Sequence, residues 1–247
     1  MEGSYLPGVA AGNTRLLRAL AWGGPVLTVV FGLGLIPLAG FFPPPSPTAD
    51  PRSIALLYAE HHTSIRLGCF AMIVGLVFLV PWGVALAAWC RRIPGADPAL
   101  ATGQLVCLGV STALIEVIPT VWAVAAYRAG SAVPDVTQAF NDLGWFLLLF
   151  AWPPFSLWSV LVAASVLSDR GERPLLPRWT GYLSLWNALL LAPGGLMAFF
   201  KVGPFAWDGI MAFYIPLTVF FVWLVGMTVV MFRLTTVRPA APEPAAA

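Results

Sequence analysis

The sequence predicts an all-α polytopic membrane protein: a single bundle of six transmembrane helices spanning residues 1–237. Three observations predict this fold class. First, 59% of the 247 residues are hydrophobic and only 10% are charged, whereas soluble domains carry about 25% charged residues. Second, six apolar runs reach the roughly 20 residues that a helix needs to cross a bilayer. Third, these runs are continuously apolar, whereas the strands of a membrane barrel alternate.

The predicted spans, numbered 1 to 6, are residues 19–41, 67–90, 98–126, 136–167, 180–200 and 209–232. Each contains proline or a glycine cluster, which favours kinked helices. Pro153-Pro154 in span 4 and Pro193-Gly194-Gly195 in span 5 lie near mid-span. Paired broken helices are typical of transporters that bind substrate at the midplane, and kinked helices that only pack are the alternative. Spans 1–3 and 4–6 show no convincing repeat, which counts against the transporter interpretation.

The basic residues predict the orientation in the membrane. Basic loops stay in the cytoplasm, and nine of the thirteen Arg and Lys residues fall on one side of the predicted bundle. We therefore expect a bacterial cytoplasmic-membrane protein with both termini in the cytoplasm. The four basic residues on the outer side are Arg52, Arg66, Arg128 and Lys201. A net charge of +2 with scattered arginines gives no basis for a nucleic-acid partner.

The first outer loop, residues 42–66, is the longest. It begins with a proline-rich stretch, Pro43–Pro47, which we expect to be stiff and extended. Asp50-Pro51 is typical of a helix start, with Asp50 as the N-cap and Pro51 in the first turn. Apolar and polar residues mix after it, so we predict a short amphipathic helix on the outer surface. At the other end of the chain, residues 238–247 are rich in Ala and Pro and are predicted to be disordered.

Two carboxylates within the predicted spans are candidate catalytic residues. Glu116 lies twelve residues before Arg128 in span 3, which places it roughly 18 Å from the outer end and near the bilayer centre. A carboxylate at that depth costs several kcal/mol unless it is paired or protonated. It is therefore a candidate proton carrier or substrate contact, or a protonated structural group. Asp142 lies roughly 9 Å into span 4. Alternatively, Asn141 and Asp142 cap a helix that starts later.

The candidate ligand-binding residues gather in the predicted outer half of the bundle. Arg66, Arg128 and Lys201 lie at the outer ends of spans 2, 3 and 5. They could hold a polar head group, or simply extend to the membrane interface. Asn141 and Asp208 complete the set, and Asp208 could instead cap span 6. A site built from these residues would open outward or into the outer leaflet.

Signatures of known chemistry are absent from the sequence. It has no nucleophile elbow, no phosphate-binding loop and no zinc-protease motif. His61 and His62 are adjacent, so they point in different directions on a helix, and no third histidine follows. We therefore expect no metal site and no cofactor. The three cysteines lie in or beside apolar runs and are expected to be buried thiols.

Four segments together resemble a family of uncharacterised bacterial six-span integral membrane proteins, common in actinobacteria and found in some proteobacteria. They are Pro177–Gly209, Pro43–Pro47, Ser64–Gly68 and Phe140–Trp145. The resemblance covers most of the chain outside its termini. It implies a fold and no mechanism, so no functional residue is assigned from it.

Three hypotheses of function follow. The favoured one is non-enzymatic handling of an apolar or lipid-like molecule, as a transport or assembly component that contacts the bilayer and other membrane subunits. The second is an intramembrane enzyme that uses Glu116 and Asp142 as acid and base on a lipophilic substrate, which requires both carboxylates to face one cavity. The third is a structural subunit, which predicts a large face of small residues and no enclosed pocket.

Overall fold

The computed structural model of the protein describes residues 11–236. The predicted disordered tail lies outside this range, so that hypothesis stays a prediction. Between residues 11 and 236 the chain is helical and forms no strand. Six of its helices are long and apolar enough to cross a membrane. The predicted fold class is therefore confirmed.

The α-helices, in chain order, are α1 (Ala11–Ala21), α2 (Gly23–Leu33), α3 (Pro51–Glu60), α4 (His62–Val77), α5 (Leu79–Cys90), α6 (Pro98–Tyr127), α7 (Pro134–Phe150), α8 (Trp152–Leu167), α9 (Arg178–Leu191) and α10 (Ile215–Thr236). A π-helical turn, Gly34–Leu38, ends the first span, and another, Ile210–Tyr214, opens the last. A 3₁₀ helix, Ala192–Phe199, continues α9.

These helices make up six spans: Thr14–Leu38, His62–Cys90, Pro98–Tyr127, Pro134–Leu167, Arg178–Phe199 and Ile210–Thr236. Four of them match the sequence prediction to within a turn or so at both ends. Spans 1 and 2 begin more than a turn earlier than predicted, at Thr14 and His62. The prediction started each span at its apolar run, whereas polar residues there extend the same helix beyond that run.

The six spans form a ring in which each packs beside its neighbours in sequence, and span 6 closes the ring against span 1. Trp22, near the start of span 1, lies 5.2 Å from Phe232, near the end of span 6, between ring centroids. Both ends of the described chain therefore lie at one end of the bundle. We call this the terminal end, and the opposite one, which carries α3, the α3 end.

Helix α3 has the predicted capped start. Asp50 is its N-cap and accepts hydrogen bonds from the backbone N–H groups of Arg52 and Ser53, at 3.0 and 3.1 Å. Pro51 fills the first turn, where its missing N–H has no cost. Ile54 and Tyr58 are buried, so the helix presents an apolar face to the bundle.

The interruptions of spans 4 and 5 fall where the prolines predicted them. Span 4 breaks at Ala151, and Pro153 and Pro154 lie in the first turn of α8, where a missing N–H breaks no hydrogen bond. Span 5 changes from α to 3₁₀ geometry at Ala192, directly before Pro193. Span 2 is also interrupted, at Phe78. The three cysteines are free and buried, as expected from their apolar surroundings.

The Asp50 cap should control the order of α3. Hydrogen bonds from the Ser53 hydroxyl and from backbone N–H groups lower the pKa of Asp50 below its usual value. A lowered pKa in the folded state means that this stabilisation is present above the unfolded pKa and is lost as the pH falls through the folded value. Asp50→Ala should speed amide hydrogen exchange in α3, and acid should do the same to the wild type.

Asp50→Asn is the matched control, because asparagine caps helices about as well as aspartate does. It should preserve most of the exchange protection of α3 and remove its dependence on acid. Equal loss of protection in the Asn and Ala variants would contradict the capping role.

Candidate functional site

A cavity of about 110 Å³ lies in the middle of the bundle, where the helices are interrupted. Its lining comes from all six spans and consists only of Ala, Gly, Pro, Leu, Ile, Phe and Trp residues. Ala151, at the break in span 4, lines it, as do Gly194 in the 3₁₀ segment and Pro216 at the start of α10. Side chains of straight helices would interdigitate here, so the interruptions account for the open space.

The glycines of span 5 allow its 3₁₀ segment to approach span 4 beside the cavity. A Cβ atom at Gly195 would lie 2.5 Å from Nε1 of Trp152, which lines the cavity. A Cβ atom at Gly194 would lie 3.3 Å from the carbonyl oxygen of Leu149. The Pro-Gly-Gly sequence therefore both ends the α-helix and permits a close approach that larger residues would block.

Three buried tryptophans close the cavity toward the terminal end. Trp82, Trp158 and Trp223 come from spans 2, 4 and 6, and we call them the tryptophan triangle. Their ring centroids are 5.9, 5.3 and 5.5 Å apart in edge-to-face geometry, which is favourable for aromatic pairs. All three are 0% exposed.

The position of the triangle follows from the helix rise. Each tryptophan comes three residues after a cavity-lining residue: Leu79, Phe155 or Phe220. Spans 2, 4 and 6 run in the same direction, so each indole lies about 4.5 Å beyond the lining. Two of the three N–H groups are satisfied locally. Trp82 donates to Oγ1 of Thr228 at 2.8 Å, and Trp223 donates to Oγ of Ser184 at 2.9 Å.

A second aromatic group closes the cavity toward the α3 end. We call Phe41, Trp122, Trp145 and Phe213 the aromatic cap. Trp122 and Phe213 line the cavity, and Trp145 packs on both, at centroid distances of 4.9 and 5.8 Å. Phe41 packs over Trp122 at 4.8 Å. All four are buried, so both ends of the cavity are blocked by rings.

Asn141 holds the aromatic cap together. Its side-chain Oδ1 accepts hydrogen bonds from Nε1 of Trp145 at 3.2 Å and from the Tyr58 hydroxyl at 3.3 Å. Its backbone carbonyl accepts from Nε1 of Trp122 at 3.3 Å. The side chain is fully buried. Asn141 thus forms hydrogen bonds with both cap tryptophans and links α3 to span 4.

Asp142 lies beside this network, and Lys201 makes no hydrogen bond to it. Nδ2 of Asn141 donates to Oδ1 of Asp142 at 3.0 Å, and Asp142 is half-buried. Lys201 is exposed and lies just after the 3₁₀ segment of span 5. The structure therefore joins two of the predicted site residues, Asn141 and Asp142, by a hydrogen bond. The alternative that Asn141 and Asp142 cap span 4 is wrong, because α7 begins at Pro134.

The other predicted ligand-binding residues lie apart from the cavity. Arg66 donates through Nε to the carbonyl of His62 in its own helix, at 3.2 Å. Arg128 is exposed and stacks over Tyr127. Asp208 does not cap span 6: Gly209 is the N-cap residue, and no side-chain hydrogen bond caps this helix. None of the three lines the cavity.

Glu116 is half-buried on α6 and does not line the cavity, and neither does Asp142. Trp122, which contacts Asn141, lies six residues further along the helix. That spacing is about 9 Å along the helix axis and about 120° around it. The cavity therefore does not unite the two carboxylates, and the acid–base hypothesis gains no support from the site. In residues 11–236, no three His, Cys, Asp or Glu side chains form a metal-binding group.

The sequence analysis missed the tryptophan triangle. Every even-numbered span contains at least one tryptophan, but spans 2 and 4 contain several, so the sequence does not show which of them meet. Comparisons of the chain with protein-family models, characterised proteins and solved structures gave no match.

Removing the Asn141 amide should loosen the aromatic cap. Asn141→Ala leaves the Tyr58 hydroxyl and the Trp145 N–H buried without an acceptor, at about 1–3 kcal/mol for each unsatisfied group. We expect a clearly lower thermal unfolding midpoint of the protein in detergent. Gln138→Ala is the control: Gln138 lies on the same helix, is half-buried, and makes one hydrogen bond, to the carbonyl of Ala49. Equal midpoints for the two variants would contradict the central role of Asn141.

Proposed function

We propose that this protein is a non-enzymatic integral membrane protein that holds an apolar or lipid-like molecule in its central cavity, as a transport or assembly component. The observation that carries the proposal is an entirely apolar cavity at the point where all six spans meet. We place the protein in the bacterial cytoplasmic membrane with both termini in the cytoplasm, on the basis of the basic loops. Its partners are then the bilayer, the bound lipophile and other membrane subunits.

The chemistry of the lining supports an apolar occupant. Water in a cavity needs two to four polar partners, and hydrocarbon and aromatic walls offer none. An engineered apolar cavity of about 150 Å³ stays dry and binds benzene. A cavity of about 110 Å³ in this bundle suits a hydrocarbon group of similar or smaller size. Burying such a group stabilises the complex by roughly 25 cal/mol for each Å² removed from water.

The same lining favours binding of the molecule without chemical conversion. No lining residue carries a nucleophile, an acid or a base, whereas the enzyme hypothesis needs two carboxylates at the reacting atoms. The structural-subunit hypothesis predicts a large face of small residues and no enclosed pocket, and it gives no reason for an apolar cavity at the centre of the bundle. The ligand-holding proposal accounts for both observations.

Filling the cavity should remove the bound molecule. Leu217 lines the cavity and is only half-buried, so Leu217→Trp places an indole there without replacing a fully packed residue. Native mass spectrometry of the gently solubilised wild type should show a discrete lipophile, and this variant should lose it. Val225→Trp is the matched control, because Val225 lies on the same helix and is 48% exposed on the outside of the bundle. Only bulk phospholipid on all three proteins would contradict the proposal.

Glu116→Gln separates the ligand-holding proposal from the enzyme hypothesis. Since Glu116 does not line the cavity, we expect this variant to retain the same lipophile in the same amount as the wild type. Loss of the lipophile, or its replacement by a chemically different species in the spectrum, would favour a catalytic Glu116.

A further inference from the structure

The cavity is closed toward both aqueous sides, which restricts how an occupant reaches it. The tryptophan triangle blocks the terminal end, and the aromatic cap blocks the α3 end. Every ring in the two groups is at most 1% exposed. A lipophile moving along the bundle axis would have to displace three or four packed rings and the hydrogen bonds of Trp82, Trp145 and Trp223. The remaining routes lead sideways, between neighbouring spans.

Three of the six interfaces between neighbouring spans are closed by glycine contacts near the cavity. Between spans 1 and 2, a Cβ atom at Gly75 would lie 2.9 Å from the backbone nitrogen of Phe31. Between spans 3 and 4, a Cβ atom at Gly144 would lie 2.1 Å from Nε1 of Trp122. Gly195 brings spans 4 and 5 together in the same way, through Trp152. At Gly75 the neighbouring atom is backbone, which cannot swing aside. At Gly144 and Gly195 the neighbouring atom belongs to a tryptophan, so a gap there requires the movement of a whole indole.

The interface between spans 1 and 6 is different at the depth of the cavity. There the two spans meet through the side chains of Phe31 and Phe221, whose ring centroids are 6.2 Å apart. Both rings line the cavity, and Phe221 is only half-buried. The tight contact between these spans, Gly24 against Thr228, lies about two turns nearer the terminal end. Two phenyl rings can rotate out of the way without any change in the backbone.

The volume of the cavity limits which molecules it can hold. About 110 Å³ is less than the roughly 150 Å³ of an apolar cavity that holds benzene, so a fused-ring molecule such as a sterol does not fit. An unbranched hydrocarbon chain can place its last few carbons there while the rest stays in the bilayer. Such a chain also needs no polar contact from the lining.

We propose that the cavity takes the end of an acyl chain from the surrounding bilayer, admitted between spans 1 and 6 past Phe31 and Phe221. This inference rests on the proposed function and adds to it the class of molecule and the route.

The test uses palmitic acid carrying bromine on its terminal carbon, in phosphatidylcholine vesicles that contain the protein. Bromine quenches indole fluorescence on contact, and Trp122 and Trp152 line the cavity. The lipid-facing residues Trp22, Trp179 and Trp186, each about half exposed, are first replaced by Phe to remove their signal. Rapid mixing of the brominated fatty acid with the vesicles should then show a slow phase in the quenching of tryptophan fluorescence, as the chain end reaches the cavity.

Phe221→Ala should make this slow phase several times faster, and Phe31→Leu, a milder change, should shift it in the same direction. Val222→Ala is the matched control, because Val222 is 51% exposed and points away from the cavity. It should leave the rate unchanged. A sterol carrying bromine should give no slow phase in any variant.

Three results would overturn the inference. An unchanged rate in both Phe variants, with the amplitude intact, would mean that the chain takes another route. A slow phase with the brominated sterol would mean that the cavity does not select acyl chains over sterols. Absence of the slow phase in the wild type would mean that no chain end enters. In each case, native mass spectrometry of the wild type reports separately whether the cavity holds any lipophile, which is the proposed function.

Discussion

The hydrogen bonds of Asn141 are the interaction on which the α3 end of the bundle depends. In an apolar interior an indole N–H or a phenol hydroxyl needs an acceptor, because leaving it unpaired costs about 1–3 kcal/mol. Asn141 supplies acceptors to Tyr58, Trp122 and Trp145 from one buried position. It thereby fixes two rings of the aromatic cap and holds α3 against span 4. Without it, the Tyr58 hydroxyl and the Trp145 N–H on that side of the cavity would have no acceptor.

The cavity results from two opposing features of the chain. Proline and glycine interrupt the helices near the middle of spans 4 and 5, which prevents continuous close packing there. Large aromatic residues fill the bundle above and below that level. The result is open apolar space between two packed aromatic layers. This arrangement suits retention of a hydrocarbon group better than passage of a polar solute across the membrane.

The spans were predictable because a bilayer demands about 20 consecutive apolar residues, and such runs are visible in any sequence. The start of α3 was predictable because an Asp-Pro pair satisfies a helix terminus locally. The early starts of spans 1 and 2 were not, since residues such as Arg18 and Arg66 are polar and still helical. Local helix geometry does not depend on hydropathy, so hydropathy alone places such boundaries poorly.

The candidate site was less predictable than the fold. Asn141 was identified as a polar residue in the outer half of an apolar span. One of its partners, Trp145, lies one turn along the same helix, but the other two come from α3 and α6, which the sequence does not connect to it. Glu116 drew attention by the same reasoning, yet its direction on α6 turns it away from the cavity lining. In a span that is apolar all round, no polar face shows which side points inward, so packing decides which tryptophans meet.

The most direct test of the central claim is photochemical labelling in the bilayer, with a fatty acid that carries a diazirine at its terminal carbon and peptide mass spectrometry to locate the products. If the cavity holds a lipophile, labels should appear on buried lining residues such as Leu79 and Leu149, which are 0% and 7% exposed. Labels confined to lipid-facing residues such as Val29 and Val225, which are 58% and 48% exposed, would contradict it.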